Sequence, residues 1–215
     1  PYNLRSWRFE HVGFVPTEVK AELMGPMVTF SWDLFEGADQ FYLEWDTNPD
    51  FSNPADVTIV NWRYTPLVFL APGDYYWRVK PRYGTSQDGA FVNGGIFTST
   101  IPVPTGLRVE PSTEVVSRTP TLTWDPVVYP TATPRFSAYR YAVEICENEG
   151  MSVNCQDMET EQHSWTPADD TFNDGELYWR VRAQVKIGFS PYNSDWKMGS
   201  SVTKQYERVA LLSPG

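Results

Sequence analysis

The chain has 215 residues, enough for two domains of ordinary size, each with its own core. Its formal net charge of −10 is spread evenly: residues 1–103 carry 7 basic and 12 acidic side chains, and residues 104–215 carry 10 and 15. Even acidity disfavours nucleic acid and anionic membranes as partners, because phosphates are held by clustered Lys and Arg, and no stretch has the apolar length of a membrane span.

Nine Trp, twelve Tyr and twelve Phe are a supply of large rings suited to sandwich cores, while eighteen Pro and fourteen Gly punctuate short strands. No helical period is sustained over three turns, so the expected class is all-β. Residues 1–14 do not read as the start of a module. Pro1-Tyr2-Asn3 followed by Trp7-Arg8 echoes Pro191-Tyr192-Asn193 followed by Trp196-Lys197, so residues 1–14 are expected to be the closing strand of a preceding module or an N-terminal extension whose strand is borrowed into module 1.

Module 1 is placed at 15–103. A first strand is expected at Glu18 to Leu23 and a second at Thr29 to Trp32. The third, Phe41 to Trp45, alternates inward Phe41, Leu43 and Trp45 with outward Tyr42 and Glu44. Asp46-Thr47-Asn48-Pro49-Asp50 superficially resembles a calcium loop, but Phe51 stands where that loop needs Gly and Val57 where it needs Glu, so an Asx turn is expected. Middle strands are expected at Val57 to Val60 and Val68 to Leu70.

The strongest signal follows. Tyr75, Trp77 and Val79 share one strand face, with Tyr76, Arg78 and Lys80 on the other. A helix would set Trp77 and Val79 about 200° apart and leave no common apolar face. Gly95 to Ser99 is expected to close the module, and Ile101-Pro102-Val103-Pro104 reads as a stiff, extended linker.

Module 2 is placed at 104–210. Strands are expected at Leu107 to Glu110, Thr121 to Trp124, Tyr141 to Ile145 and Val202 to Tyr206, and an insert at Tyr129 to Pro134 precedes the third of these. Leu177-Tyr178-Trp179-Arg180-Val181-Arg182 repeats the strong signal of module 1. A Trp-strand, an alternating strand with a central Glu, and a Trp-Arg-Val strand thus occur twice in one order, a clear internal repeat. Trp32, Trp45, Trp77, Trp124 and Trp179 are the expected core. Residues 211–215 read as a linker or the start of a further module, which would make the chain an excerpt of an array.

These motifs, with Leu70-Ala71-Pro72-Gly73-Asp74-Tyr75-Tyr76-Trp77-Arg78-Val79 foremost, resemble fibronectin type III domains, most of all those found in tandem in bacterial extracellular proteins. The resemblance covers nearly the whole chain and implies two tandem fibronectin type III-like antiparallel β-sandwiches. It also implies a buried corner tyrosine, a place Tyr75 can fill, whereas the second module has Leu177 there.

Cys146 and Cys155 bracket a polar loop and read as a disulfide, with two reduced thiols as the alternative. The bridge implies an oxidising compartment, hence an extracellular or cell-surface setting. The outward cations are expected to pair with Glu44 and Glu144, and Trp196 to stack on Arg180 or Arg182, as in the Trp–Arg ladders of related cytokine-receptor modules. Asp169, Asp170 and Asp174 read as a charged turn. His11 and His163 sit in unrelated strand-edge settings, and no nucleophile elbow, zinc-binding His pair or phosphate-cradling Gly loop occurs. No catalytic residue, cofactor or metal site is therefore expected.

Three functional readings follow. The first is a structural stalk, sheath, filament or surface layer whose partners are other copies or neighbouring modules. The second is a glycan- or protein-binding module using exposed aromatics such as Trp62, Trp165 and Tyr83, although packing inside the fold is the expected place for these rings. The third is an accessory part of a secreted carbohydrate enzyme.

Overall fold

A computed structural model describes residues 16–33, 37–84, 87–129, 136–169 and 171–205. The expected strand at residues 1–14, most of the insert before the third strand of module 2, His11, Asp170, Tyr206 and residues 211–215 lie outside the described residues. The chain divides into two compact units, Pro1–Ser99 and Thr100–Gly215.

Unit 1 contains β1 (Lys20–Met24), β2 (Met27–Ser31), β3 (Gln40–Asp46), β4 (Ala55–Ile59), β5 (Arg63–Tyr64), β6 (Gly73–Tyr83), β7 (Gln87–Asp88) and β8 (Val92–Ser99). One sheet has the order β1-β2-β5. The other runs β4-β3-β6, with β7 and β8 both pairing β6, and every pairing among the described residues of the unit is antiparallel. The period-two pattern decides the facing. Val28 and Phe30 from the first sheet meet Phe41, Leu43, Trp45, Tyr75, Trp77 and Val79 from the second in one buried cluster. Phe30 is central, with ring centroids 5.0 Å from Trp77 and 5.5 Å from Trp45. The Tyr75 hydroxyl donates to the Ala71 carbonyl at 3.1 Å, which ties the corner into β6.

Unit 2 contains β9 (Thr105–Glu110), β10 (Val115–Val116), β11 (Thr121–Asp125), β12 (Val128–Tyr129), β13 (Phe136–Ser137), β14 (Arg140–Cys146), β15 (Gln156–Thr160), β16 (Ser164–Trp165), β17 (Gly175–Ile187), β18 (Ser190–Asn193), β19 (Lys197–Met198) and β20 (Val202–Lys204). Its first sheet is β16-β11-β9. Its second is β15-β14-β17-β20-β10, with β18 and β19 also on β17, while β12 and β13 form a separate small hairpin. Only the β10–β20 pair is parallel among the described strands. Trp124 of the first sheet packs on Tyr141 of the second at 5.5 Å, and the Val127 N–H donates to the Tyr141 hydroxyl.

All five expected core tryptophans are buried: Trp32, Trp45, Trp77, Trp124 and Trp179. One expected strand needs correction. Val68 to Leu70 is not a strand. The strand there is β5, Leu70 is held by donating its N–H to the Pro26 carbonyl, and Val68 lies exposed. Glu44 points outward from β3 as expected, and Arg78 of the neighbouring β6 lies across it and buries it.

Candidate functional site

The outer faces of the larger sheets carry the densest chemistry. Register sets Arg78 opposite Glu44 and Arg180 opposite Glu144. Arg78 bonds Glu44, and Arg180 bonds Glu144 at 2.6 Å. In unit 1 the cations of β6 then alternate with rings. The Arg78 guanidinium sits 3.9 Å from the Phe51 ring and 4.2 Å from Phe91. Lys80 lies 4.7 Å from Phe91 and 5.2 Å from Tyr42, and Arg82 lies 4.8 Å from Tyr42. A carboxylate flanks the stack: Asp88 reaches Lys80 at 2.5 Å and Arg82 at 3.1 Å, and the Lys80 bond holds its pKa below the ordinary carboxylate value.

Unit 2 repeats the stack with fewer rungs. Trp196 lies 4.5 Å from both Arg180 and Arg182, while Tyr139 lies under Lys186 at 4.8 Å and Arg140 at 5.8 Å. Arg140 also pairs with Glu159 at 2.8 Å.

Sequence reasoning missed the counterpart of Trp196 in unit 1, which is Phe91. A signal for it exists. Gly94 follows Phe91 by three residues, as Gly199 follows Trp196, and a Cβ at either glycine would fall inside the indole of Trp77 or Trp179. The backbone agrees: the Gly89 N–H donates to the Pro81 carbonyl at 2.8 Å, and the Ser194 N–H to the Ala183 carbonyl at 2.9 Å.

The loops after β3 and β14 are pinned by different chemistry at matching places. In unit 1 the Asp46 carboxylate accepts the N–H groups of Asn53 at 2.8 Å and Asn48 at 3.1 Å, an Asx turn. The Asn53 bond foremost holds the Asp46 pKa below its ordinary value. In unit 2 the ladder ends at Ile145 opposite Gln156, and one step further Cys146 and Cys155 form a disulfide with Sγ atoms 2.08 Å apart. Glu144 gathers with these two sulfurs in a cluster of metal-ligand type, but both are bonded to each other, so no thiolate is offered.

Lys204 is a second residue the sequence did not single out. It is fully buried, its ammonium donates to the carbonyls of Asp169 and Phe172, and it pairs with the Asp169 carboxylate at 3.4 Å. Asp169 also accepts the Thr119 N–H at 2.6 Å, the main reason its pKa lies below the ordinary value. The expected acidic turn is therefore a knot joining β20 to the loop before β17.

The remaining candidates scatter. Trp62 is 47% exposed, against the expectation that it packs inside. Trp165 and Tyr83 are half-buried, and His163 meets Tyr141 edge-on at 5.5 Å. An open groove of about 820 Å³ in unit 2 is lined by Leu107 to Glu114 and Ser200 to Val202, and holds no His, Cys or Lys.

No known family and no curated protein matches the chain. Among solved structures, a two-domain fibronectin type III segment of chicken tenascin is 14% identical, with a TM-score of 0.48, covering 89% of this chain and all of its own. The FN1–FN3 domains of chicken CNTN1 are 15% identical with a TM-score of 0.35, over 90% of this chain and 67% of theirs. The chicken interferon gamma receptor alpha chain is 12% identical with a TM-score of 0.41, over 87% of this chain and 98% of its own.

Proposed function

We propose that the chain is a non-catalytic structural segment, two tandem fibronectin type III-like modules of a repetitive extracellular surface protein such as a stalk, sheath, filament or surface layer, with other copies or neighbouring modules as its partners. One observation carries the reading. On the outer sheet faces, Arg78, Lys80, Arg82, Arg180 and Arg182 are each laid against rings of their own unit. Stacked this way the guanidinium groups stiffen a sheet and leave little for a ligand to displace. The disulfide supports an extracellular setting, where such bridges persist.

The test separates stiffness from recognition. The chain is passed over immobilised polysaccharides while unfolding is followed for Trp196→Ala. The structural reading expects no retention and a lower melting temperature. The alternative, a glycan- or protein-binding module, draws on half-exposed Trp62. Retention that disappears in Trp62→Ala with unchanged melting would establish that alternative and overturn the structural reading.

A further inference from the structure

We propose that this chain assembles head-to-tail with further copies of itself, Phe189 at the tip of one copy's β17–β18 hairpin seating in the groove beside β9, β10 and β20 of the next. The inference rests on the structural reading above and names the contact that would carry it.

Phe189 is the starting point. Ile187 pairs with Ser190, so Gly188 and Phe189 form a two-residue hairpin turn, and Gly188 supplies the positive φ of +61°. Such a turn asks nothing of its second residue, and a polar one would serve. Instead the position holds a phenylalanine that is 104% exposed, a full aromatic side chain in water with no role in the fold.

The groove is the complementary feature. Leu107 and Val109 of β9, with Pro111 and Val202, give it an apolar lining, and Glu110 and Glu114 stand among its lining residues. Neither glutamate makes a salt bridge among the described residues, and the same holds for Lys186, three residues before Phe189. An aromatic knob beside a cation that rests on the Tyr139 ring and on no carboxylate of the described residues has the shape and charge to suit an apolar slot edged by Glu110 and Glu114, where Arg108 of the same lining is already held by Asp125.

Register shows that a copy cannot fill its own groove. Leu177 pairs with Val202 at the groove, whereas the hairpin turns after Ile187. Ten residues of strand separate the two, roughly 33 Å. Tip and groove are different surfaces at opposite ends of β17, so their contact is heterologous. A heterologous contact that does not close into a ring propagates as a filament.

Sedimentation velocity on the two-unit chain tests this at low salt and roughly 100 μM, where a micromolar contact would be nearly saturated. Wild type should form a ladder of oligomers. Phe189→Asp should be monomeric, and so should Glu110→Lys/Glu114→Lys, each with an unchanged melting temperature. Mixed together, the two variants retain one intact tip and one intact groove, so they should form 1:1 dimers and nothing longer. Monomeric wild type, oligomers that persist in Phe189→Asp, or a mixture that stays monomeric would each overturn the inference. None of these results touches the structural reading, which fails instead by polysaccharide retention.

Discussion

Gly94 and Gly199 each leave space that an indole occupies, Trp77 in one unit and Trp179 in the other. Alanine at either place must displace a ring locked in a close-packed core, an overpacking that costs about 1–3 kcal/mol and occasionally more. Urea unfolding of Gly94→Ala and Gly199→Ala should show that loss, whereas Gly84→Ala, with nothing near its Cβ, should report only the strain of its +61° φ. Phe91 and Trp196 act differently, by covering cations. Phe91→Ala takes one of two rings from each of Arg78 and Lys80, leaving Phe51 and Tyr42, and should cost about 1 kcal/mol, readable as a lower urea midpoint. Asp46 sets a pH dependence. Its folded pKa lies below its unfolded value, so its contribution is full above the unfolded carboxylate value near 4 and fades as pH falls through the lower folded one. Asp46→Asn should therefore flatten the fall in stability below about pH 4, measured by denaturant titration at each pH. A wild-type slope in the variant would remove Asp46 from that account.

The two loops that follow β3 and β14 solve one problem in two ways, and the difference is measurable. A nine-residue separation between Cys146 and Cys155 makes the bridge worth about 3 kcal/mol by loop-closure entropy. Much of the loop is held independently, however: Asn148 accepts the N–H groups of Ser152 and Val153, and Glu147 accepts those of Asn173. Cys146→Ser/Cys155→Ser should thus unfold earlier in urea while keeping its native circular dichroism. What the sequence disclosed at this scale follows from period. Strands β2, β3, β6, β11, β14 and β17 were legible because each turns its large apolar side chains to one face, which imposes alternation even where a residue of the other face, such as Glu44, is covered by a neighbour. Strand β5 was not, since two residues cannot display a period, and the hydrophobic run at Val68 to Leu70 suggested a strand in its place. The closing strand of unit 1 was half-legible. The chain breaks its pairing to β6 between Asp88 and Val92, and the register shifts again opposite Trp77, so Phe91 carried no alternation to betray its place. Lys204 was illegible for another reason: a lysine in a strand reads as exposed until tertiary packing brings the carbonyls of Asp169 and Phe172 around it. Spacing alone suggested the disulfide, while the match between that bridge and the Asp46 turn needed both registers.

At the scale of the whole chain, the two units have separate cores built to one plan but stabilised unequally. Only the second holds a disulfide, and Cys146 and Cys155 are the only cysteines of the sequence. A reductant is therefore a probe that acts on one unit alone. In the unfolded state of unit 2 the bridge removes conformations that reduction restores, whereas the unfolded state of unit 1 is the same with or without reductant. Domains with their own cores unfold as separate cooperative units when little crosses between them. Differential scanning calorimetry of the chain should then resolve two transitions, and reductant should lower one and leave the other in place. For a domain near 100 residues, a loss of about 3 kcal/mol corresponds to a shift on the order of 12–24 °C. Gly199→Ala should move that same transition, and Gly94→Ala the other, which assigns each to its unit without fragmenting the protein. A single transition moved by all three perturbations would mean that the units unfold as one. Under force the two would then unfold together in one long step instead of one unit at a time.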